Sequence, residues 1–461
     1  MSDIYTLGIQ GKIVTQHSPD FEAAIARRAT QSVLRAAYIV YPLTVKDIPL
    51  AINFALAQDP PLEIAIKGGG CHTSSNSSTD GGLVIDLCRM NAVKVSEDKK
   101  TVTIQGGALW GDVYIEADKQ GVAVVGGNTW FVGVGGYLTG GGYSSLSGEY
   151  GLAIDNLLSA EVVLADGRVV RCSENEEPDL FWAIRGGGNQ FGVVTEFVVK
   201  AHPGIESALV GALAYPATEL DNVLEVVKNF LDKQGSNAWL NIGFLRMPPH
   251  YKPCIMLIPT IYGDQAAATA SIQSFHTEIT PIFGQTGFVA GSNAIAHGGD
   301  AFLLNAPPRS SIGGAYFGEF RIDVAREIFS DWMKFTAEEG FKESLVMFEF
   351  AKRGKVDSVP LSATAFPVRD PHWFMASAAR YHDPSLDKSA KDWVAKITSY
   401  AKDKNEESTG KRLCTPTNWA QGPDYETLEE VFGENLLRLR KVKAKYDQKK
   451  VWRRGWVIEP L

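Results

Sequence analysis

The sequence predicts an α+β fold in two parts, and three observations predict it. Over residues 36–202, short β-branched runs alternate with short helical patterns and are punctuated by glycine. From about residue 203 to 410 glycine thins, and long amphipathic stretches alternate with strands, the pattern of an antiparallel sheet covered by helices. A composition of 45% hydrophobic and 21% charged residues over 461 positions suits a globular chain with two substantial cores.

In the first part, strands are expected at residues 37–41, 62–66, 83–87, 101–104, 161–164 and 191–199 from their β-branched content. Helices are expected at 44–58, where Thr44 and Asp47 are N-cap candidates, and at 109–120 and 178–184. Asp166-Gly167 supplies hairpin chemistry between two strands. In the second part, helices are expected at 220–234 and 324–339 and strands at 254–261 and 345–350. A loop-rich section at 284–314 holds His297 and Arg309, and one long helical pattern covers 425–446. The expected division is 1–203, then 204–410, with 411–461 returning to the first part.

A net charge of −8 without a long basic run excludes the footprint of a nucleic-acid or anionic-membrane partner. The N-terminal segment beginning Met1-Ser2-Asp3 lacks a basic region followed by an apolar run, and no stretch reaches 18 apolar residues. A cytoplasmic protein is expected on that basis. Five scattered cysteines without a C-x-x-C pair indicate neither a disulfide framework nor a zinc site, and no metal is expected.

More than half of the 45 glycines lie between Ile66 and Gly192. They form three clusters: Gly68-Gly69-Gly70 after a strand, Gly133 to Gly142, and Gly186-Gly187-Gly188. Glycine admits positive φ and close approach of a ligand to the backbone, and consecutive exposed N–H groups make an anion-binding concavity. A pyrophosphate suits such loops, although one cluster alone would equally mark a tight turn. Leu138 stands where G-x-G-x-x-G from Gly133 requires glycine, and there is no P-loop, G-x-S-x-G or H-E-x-x-H motif.

Several blocks together resemble one family. They are Ile66-Lys67-Gly68-Gly69-Gly70, Asp80-Gly81-Gly82-Leu83-Val84-Ile85-Asp86-Leu87, Gly106-Gly107-Ala108-Leu109-Trp110-Gly111, Gly133-Val134-Gly135-Gly136, Tyr150-Gly151-Leu152-Ala153-Ile154-Asp155-Asn156 and Asp179-Leu180-Phe181-Trp182. This set resembles the FAD-binding half of the vanillyl-alcohol-oxidase (PCMH-type) superfamily, and within it the berberine-bridge-enzyme-like oxidases. The resemblance implies a two-part FAD-binding domain with an inserted α+β substrate domain. Its implied activity is that of an FAD-linked oxidase of specialised metabolism, taking hydride from a small alcohol or amine to flavin N5, with O2 reduced to hydrogen peroxide. Two other readings stay open: a redox-neutral FAD-containing cyclase or isomerase, and a flavin-binding protein without turnover.

By the same resemblance, the cofactor would face Lys67, Gly68, Gly69, Gly70, Cys71, His72 and Thr73. It would also face Gly133, Gly135, Gly136, Gly140, Gly141, Gly142, Tyr150, Gly151, Asp155 and Asn156, with Gly192, Val193 and Val194 running alongside by their backbone. Many members tether the flavin through a histidine after the glycines and a cysteine three residues before the valine that stands here as Val132. Thr129 occupies that cysteine position, so no link to flavin C6 is expected. Cys71 stands at the histidine position with His72 one step later. Either side chain could attack the 8α carbon, a single bond through His72 being favoured over attachment at Cys71 and over non-covalent binding. Val132 is the position that in the family governs access of O2. The family's Tyr-x-Asn motif is here Pro416-Thr417-Asn418, so the tyrosine base is missing. Glu349, Tyr143 and Asn418 are the candidate catalytic residues. The tail departs as well, with Lys450 and Trp452 where Asn and Phe are common.

Overall fold

The structure is a computed structural model and describes residues 3–461; Met1 and Ser2, at the start of the N-terminal segment, lie outside the described residues. Eighteen strands are found among them. β1 (Lys12–Thr15), β2 (Tyr38–Tyr41), β3 (Ile64–Lys67) and β4 (Leu83–Asp86) form a sheet in the order β1-β2-β4-β3, with β4 parallel to both of its neighbours. β5 (Val93–Val95), β6 (Thr101–Gln105), β8 (Leu157–Val163), β9 (Val169–Ser173) and β10 (Val193–Lys200) form a second, antiparallel sheet in the order β5-β6-β10-β8-β9. A small ribbon pairs β7 (Val122–Ala123) with β11 (His202–Pro203). Asp166 and Gly167 turn the chain between β8 and β9, with Gly167 at φ +84°.

Residues 208–381 carry one antiparallel sheet of seven strands: β12 (Ala208–Pro216), β13 (Ala238–Met247), β14 (Lys252–Tyr262), β15 (Phe283–Val289), β16 (Arg309–Phe317), β17 (Leu345–Ala351) and β18 (Trp373–Tyr381). Their order is β15-β12-β14-β13-β17-β18-β16. Side chains alternate across a strand, so the sheet has two characters. Leu240, Ile242, Phe244, Val346, Phe348 and Phe350 point into a core covered by the helices Leu220–Lys233, Ile322–Phe335 and Asp387–Thr409. Trp239, Tyr316, Ala351, Phe374 and Ala376 point the other way and pack with Tyr143, Leu152 and Ile154 of the first part. The sheet's second face is therefore turned towards the glycine-rich half.

Two expectations need correction. The section at 284–314 is not mainly loop: β15 and the start of β16 lie in it, flanking the short helices Ser292–Ala296 and Asp300–Leu303. β15 is an exposed edge strand interrupted by glycine, which hides its period. The helical pattern at 425–446 is two helices, Leu428–Phe432 and Leu436–Tyr446, broken at Gly433, whose φ is +51°.

The two parts are joined by a buried ion pair. Arg369 donates from both terminal nitrogens to the two oxygens of Asp155, at 2.9 and 2.8 Å, and also to Thr364 Oγ1 at 2.9 Å. Removing one member of such a pair leaves a buried charge alone, at a cost of about 3–5 kcal/mol. Arg369→Met should therefore lower the unfolding free energy by that amount in urea titration. The double variant Arg369→Met with Asp155→Leu should recover part of it, because no lone charge remains.

Candidate functional site

The glycines of the first two clusters meet where two backbones touch. A methyl group on Gly69 would lie 2.5 Å from the Gly133 nitrogen, and one on Gly133 would lie 2.3 Å from the Gly69 nitrogen. Backbone cannot yield as a side chain can, so neither position admits a Cβ. The Gly106 carbonyl sits beside this crossing, 3.4 Å from a methyl on Gly68 and 3.0 Å from one on Gly135. Gly136 is exposed and would meet nothing within 4 Å. Gly68, Gly135 and Gly136 thus present a bare strip of backbone, a surface that an extended phosphate-bearing group can approach closely. Lys67 does not add free charge to it, since its ammonium is held by Asp86 at 2.8 Å.

Other expected cofactor contacts have different partners. Gly140, Gly141 and Gly142 do not line open space: they are filled by Asn418, by the Phe366 ring, and by Ala153 with Tyr137. Gly186 lies against the backbone of Ala365 and Phe366, and Gly188 against Thr417. These glycines mark close packing between parts of the protein. Asp155 is spent on Arg369 and on the Leu152 N–H. Asn156 donates to the Tyr150 and Leu152 carbonyls and bonds His202, whose ring stacks on Tyr150 at 3.8 Å. Gly151 turns the chain at φ +81° against Asp155. The Thr73 hydroxyl accepts from the Ile312 N–H and fastens its loop to β16. Gly192, Val193 and Val194 are buried, with the two valine side chains in the packed interior.

Cys71 and His72 are half-buried on the loop after the crossing. The Cys71 thiol donates to the Phe131 carbonyl at 3.2 Å, and burial raises its pKa against the influence of the Gly133 backbone, Arg28 and Lys67. It is therefore a thiol and not a ready thiolate. His72 donates from Nε2 to the Thr417 carbonyl at 3.1 Å, which makes Nδ1 the acceptor for the Ser74 N–H and hydroxyl at 3.1 and 2.7 Å. Burial lowers its pKa and keeps the ring neutral. Both ring nitrogens thus have partners on the loop and on the C-terminal segment. Thr129 closes a turn through its carbonyl to the Val132 N–H, and Val132 is half-buried beside it.

On the sheet's second face, Glu349 of β17 stands between Asn241 of β13 and Phe374 of β18. It has no carboxylate-binding cation among the described residues, and burial pushes its pKa up to about 7. Around it are phenols. Burial, reinforced by the Glu349 charge, holds Tyr137, Tyr143 and Tyr316 above their ordinary range. Tyr143 is thus a neutral phenol, packed on Trp239 and His372. Asn418 donates to the Tyr137 carbonyl at 3.1 Å and presses on Gly140, so its amide positions the backbone. His372 donates to the Asp370 carbonyl and is driven down to about 4 by burial, while His297 pairs with Asp300 at 2.6 Å. Sequence reasoning missed Tyr137, Asn241, Met347 and Phe374; the alternation within β13, β17 and β18 is the signal that would have found them.

Comparison with known proteins fits this geometry. Residues 36–173 match the family described as FAD binding domain, and residues 417–455 match the family described as berberine and berberine like. The FAD-linked oxidoreductase pgmH of Aspergillus terreus is 30% identical over 98% of this chain and 94% of its own length. The chain belongs to the berberine-bridge-like FAD-linked oxidoreductases. (R)-6-hydroxynicotine oxidase of Paenarthrobacter nicotinovorans is 27% identical over 98% of both chains. The structure of glucooligosaccharide oxidase from Acremonium strictum, which carries a 6-S-cysteinyl, 8α-N1-histidyl FAD, superposes with a TM-score of 0.80 at 22% identity, covering 98% of this chain and 97% of that one.

FAD fits this berberine-bridge-like oxidoreductase at the bare glycine strip, where a Cβ would intrude. Thr129 has no thiol for a link at flavin C6, burial keeps Cys71 protonated, and His72 is neutral, the form of the ring that can attack the 8α carbon. A single bond through His72 would keep the yellow colour in the acid-precipitated pellet; colour found wholly in the supernatant would show non-covalent binding. Gly133→Ala should yield a folded protein with far less bound flavin, measured as the ratio of 450 to 280 absorbance, because its methyl would meet the Gly69 backbone.

Proposed function

We propose that the chain is an oxidase acting on a small organic molecule with a C–H bond next to a hydroxyl or amine. In this reading 1–203 with 411–461 forms the cofactor-binding half and 204–410 the substrate half. FAD, when bound, supplies the hydride acceptor and is returned to its oxidised form by O2 with release of hydrogen peroxide. The observation that carries the proposal is Glu349. It is the carboxylate on the second sheet face next to Phe374, raised to about 7 by burial and surrounded by neutral phenols.

A base whose pKa lies near the operating pH combines availability with proton affinity. Glu349 would take the proton from the substrate hydroxyl or amine as hydride leaves the adjacent carbon. Trp239, Phe374 and Tyr316 would give the substrate an apolar wall and limit water there. Tyr137 is held by its own hydroxyl, which donates to the Tyr143 carbonyl at 2.8 Å, so it orients the segment and leaves the proton to Glu349. Val132, half-buried at the crossing, is where O2 would gain access.

Glu349→Gln should reduce kcat by about 10²–10⁴-fold with flavin content unchanged. Because the carboxylate is the active form, kcat/KM of the unaltered enzyme should rise as pH increases through about 7 and then level off. Anaerobic substrate should bleach the flavin, and air should restore it with one peroxide per turnover. Product formation without bleaching would favour the redox-neutral reading, and binding with neither would favour a flavin-binding protein.

A further inference from the structure

Two guanidinium groups sit at the far end of the same sheet face without a carboxylate partner. Arg380 follows Ala376 and Ala378 on β18, on the side that faces the glycine-rich half. It lies over the Phe302 ring at 4.6 Å. Arg28 lies over the Phe131 ring at 3.6 Å and donates to the Leu303 carbonyl at 2.7 Å. Neither is ion-paired among the described residues. Glu343, the acid nearest to Arg380 in effect, has His382 within 3.9 Å instead. Asp300, on the neighbouring turn, is taken by Trp130 and His297.

The two arginines feel each other. Burial, with the Arg28 charge adding to it and Glu343 opposing, drives Arg380 down to about 10. Burial likewise lowers Arg28, opposed only by Cys71. Arg28 is exposed and Arg380 half-buried, so the two like charges meet at the mouth of this face, where an anion would relieve their repulsion. A third donor stands beside them: Ser310 is paired with Arg380 across the β16–β18 ladder, and its hydroxyl, sealed from solvent, has no hydrogen-bond partner. Gln31 bonds the Ser310 backbone and so ties the Arg28 segment to this strand.

We propose that Arg380, Arg28 and the Ser310 hydroxyl bind a carboxylate of the substrate, at the end remote from the carbon that is oxidised. A planar carboxylate matches the guanidinium fork. Between this end and Glu349 the same face carries half-buried Ile312, Met347 and Met256, an apolar floor. Phe374, beside Glu349, and Arg380 are six residues apart on β18, or about 20 Å along the strand. The substrate is accordingly elongated, largely apolar and anionic at one end. This deepens the oxidase reading and rests on its assignment of the sheet face as the substrate pocket.

The test uses the flavin-loaded protein with biphenyl-4-carboxylate and its uncharged analogue biphenyl-4-carboxamide, titrated by calorimetry. The unaltered protein should bind the carboxylate at least tenfold more tightly than the amide. In Arg380→Met and, separately, Arg28→Met that preference should fall to near unity with amide affinity unchanged. Arg380→Lys, which keeps the charge, should retain part of the preference. Equal affinity for the two probes in the unaltered protein would overturn the proposal, as would a methionine variant that folds and keeps the preference. The oxidase reading fails separately: full substrate-dependent bleaching in Glu349→Gln would remove the proposed base, while carboxylate preference in the same variant would leave the anion site standing.

Discussion

The contact between Gly69 and Gly133 governs the layout of the site. It joins the loop after β3 in the first sheet to the segment before the Val134–Thr139 helix, and Gly106, at the end of β6, is drawn in beside it. Gly106 donates its N–H to the Thr195 carbonyl, and a methyl there would lie 2.1 Å from the Val194 carbonyl. Three backbones therefore meet with no side chain between them. The face they leave outward is necessarily bare, and the loop at 71–79 must spring from one side of it. That loop is held by two arginines distant in sequence: Arg27 bonds Ser77, and Arg454 bonds Ser75 and pairs with Glu63. The bare backbone strip and the position of Cys71 and His72 both follow from one steric constraint.

That constraint explains what could be read from the sequence. Glycine reports that something comes close, and its clustering located the close backbone approach at Gly68, Gly69, Gly133, Gly135 and Gly136. It does not report what comes close. At Gly140, Gly141, Gly186 and Gly188 the neighbours are Asn418, Phe366 and Thr417, far away in the chain, and no local pattern encodes them. The strands β2, β3, β4, β6, β8 and β10 and the helices over Asp47–Leu56, Trp110–Gln120 and Pro178–Ile184 were legible from their composition and bounding turn residues, whereas short pieces such as β1, β5 and the helix Val134–Thr139 are too brief to show a period. β15 was not, because an exposed edge strand with Gly284 and Gly287 lacks the alternation that burial imposes. Glu349 was legible only as a carboxylate within a strand; its importance comes from the register that sets Asn241 and Phe374 on either side.

Several buried charges of the scaffold are closed by ion pairs. Lys443 and Asp447 are both fully buried at 2.7 Å, and the ammonium also donates to the Gln190 and Trp452 carbonyls, which pins the last helix to the tail. Lys67 with Asp86 and Arg369 with Asp155 are closed in the same way. Glu349 and Arg380, both half-buried on the sheet's second face, have no ion-pair partner among the described residues, and neither has the exposed Arg28 beside Arg380. Where local rules for satisfying charge are broken in an otherwise consistent fold, function is the usual reason.

Glu349 also carries a cost that the scaffold must offset. Its folded pKa, about 7, lies above the ordinary carboxylate value of 4.5, so between those values the folded chain holds a proton that the unfolded chain has lost. Stability from this group consequently falls as pH rises through that window, and the loss is complete above about 7. The direction is opposite to that of a paired carboxylate, which stabilises once ionised. The pH at which Glu349 becomes competent to accept a proton is thus the pH at which it burdens the fold most. A side chain selected for stability alone would not be a glutamate among Trp239, Tyr316 and Phe374, and the closed pairs elsewhere are what allow it to remain there.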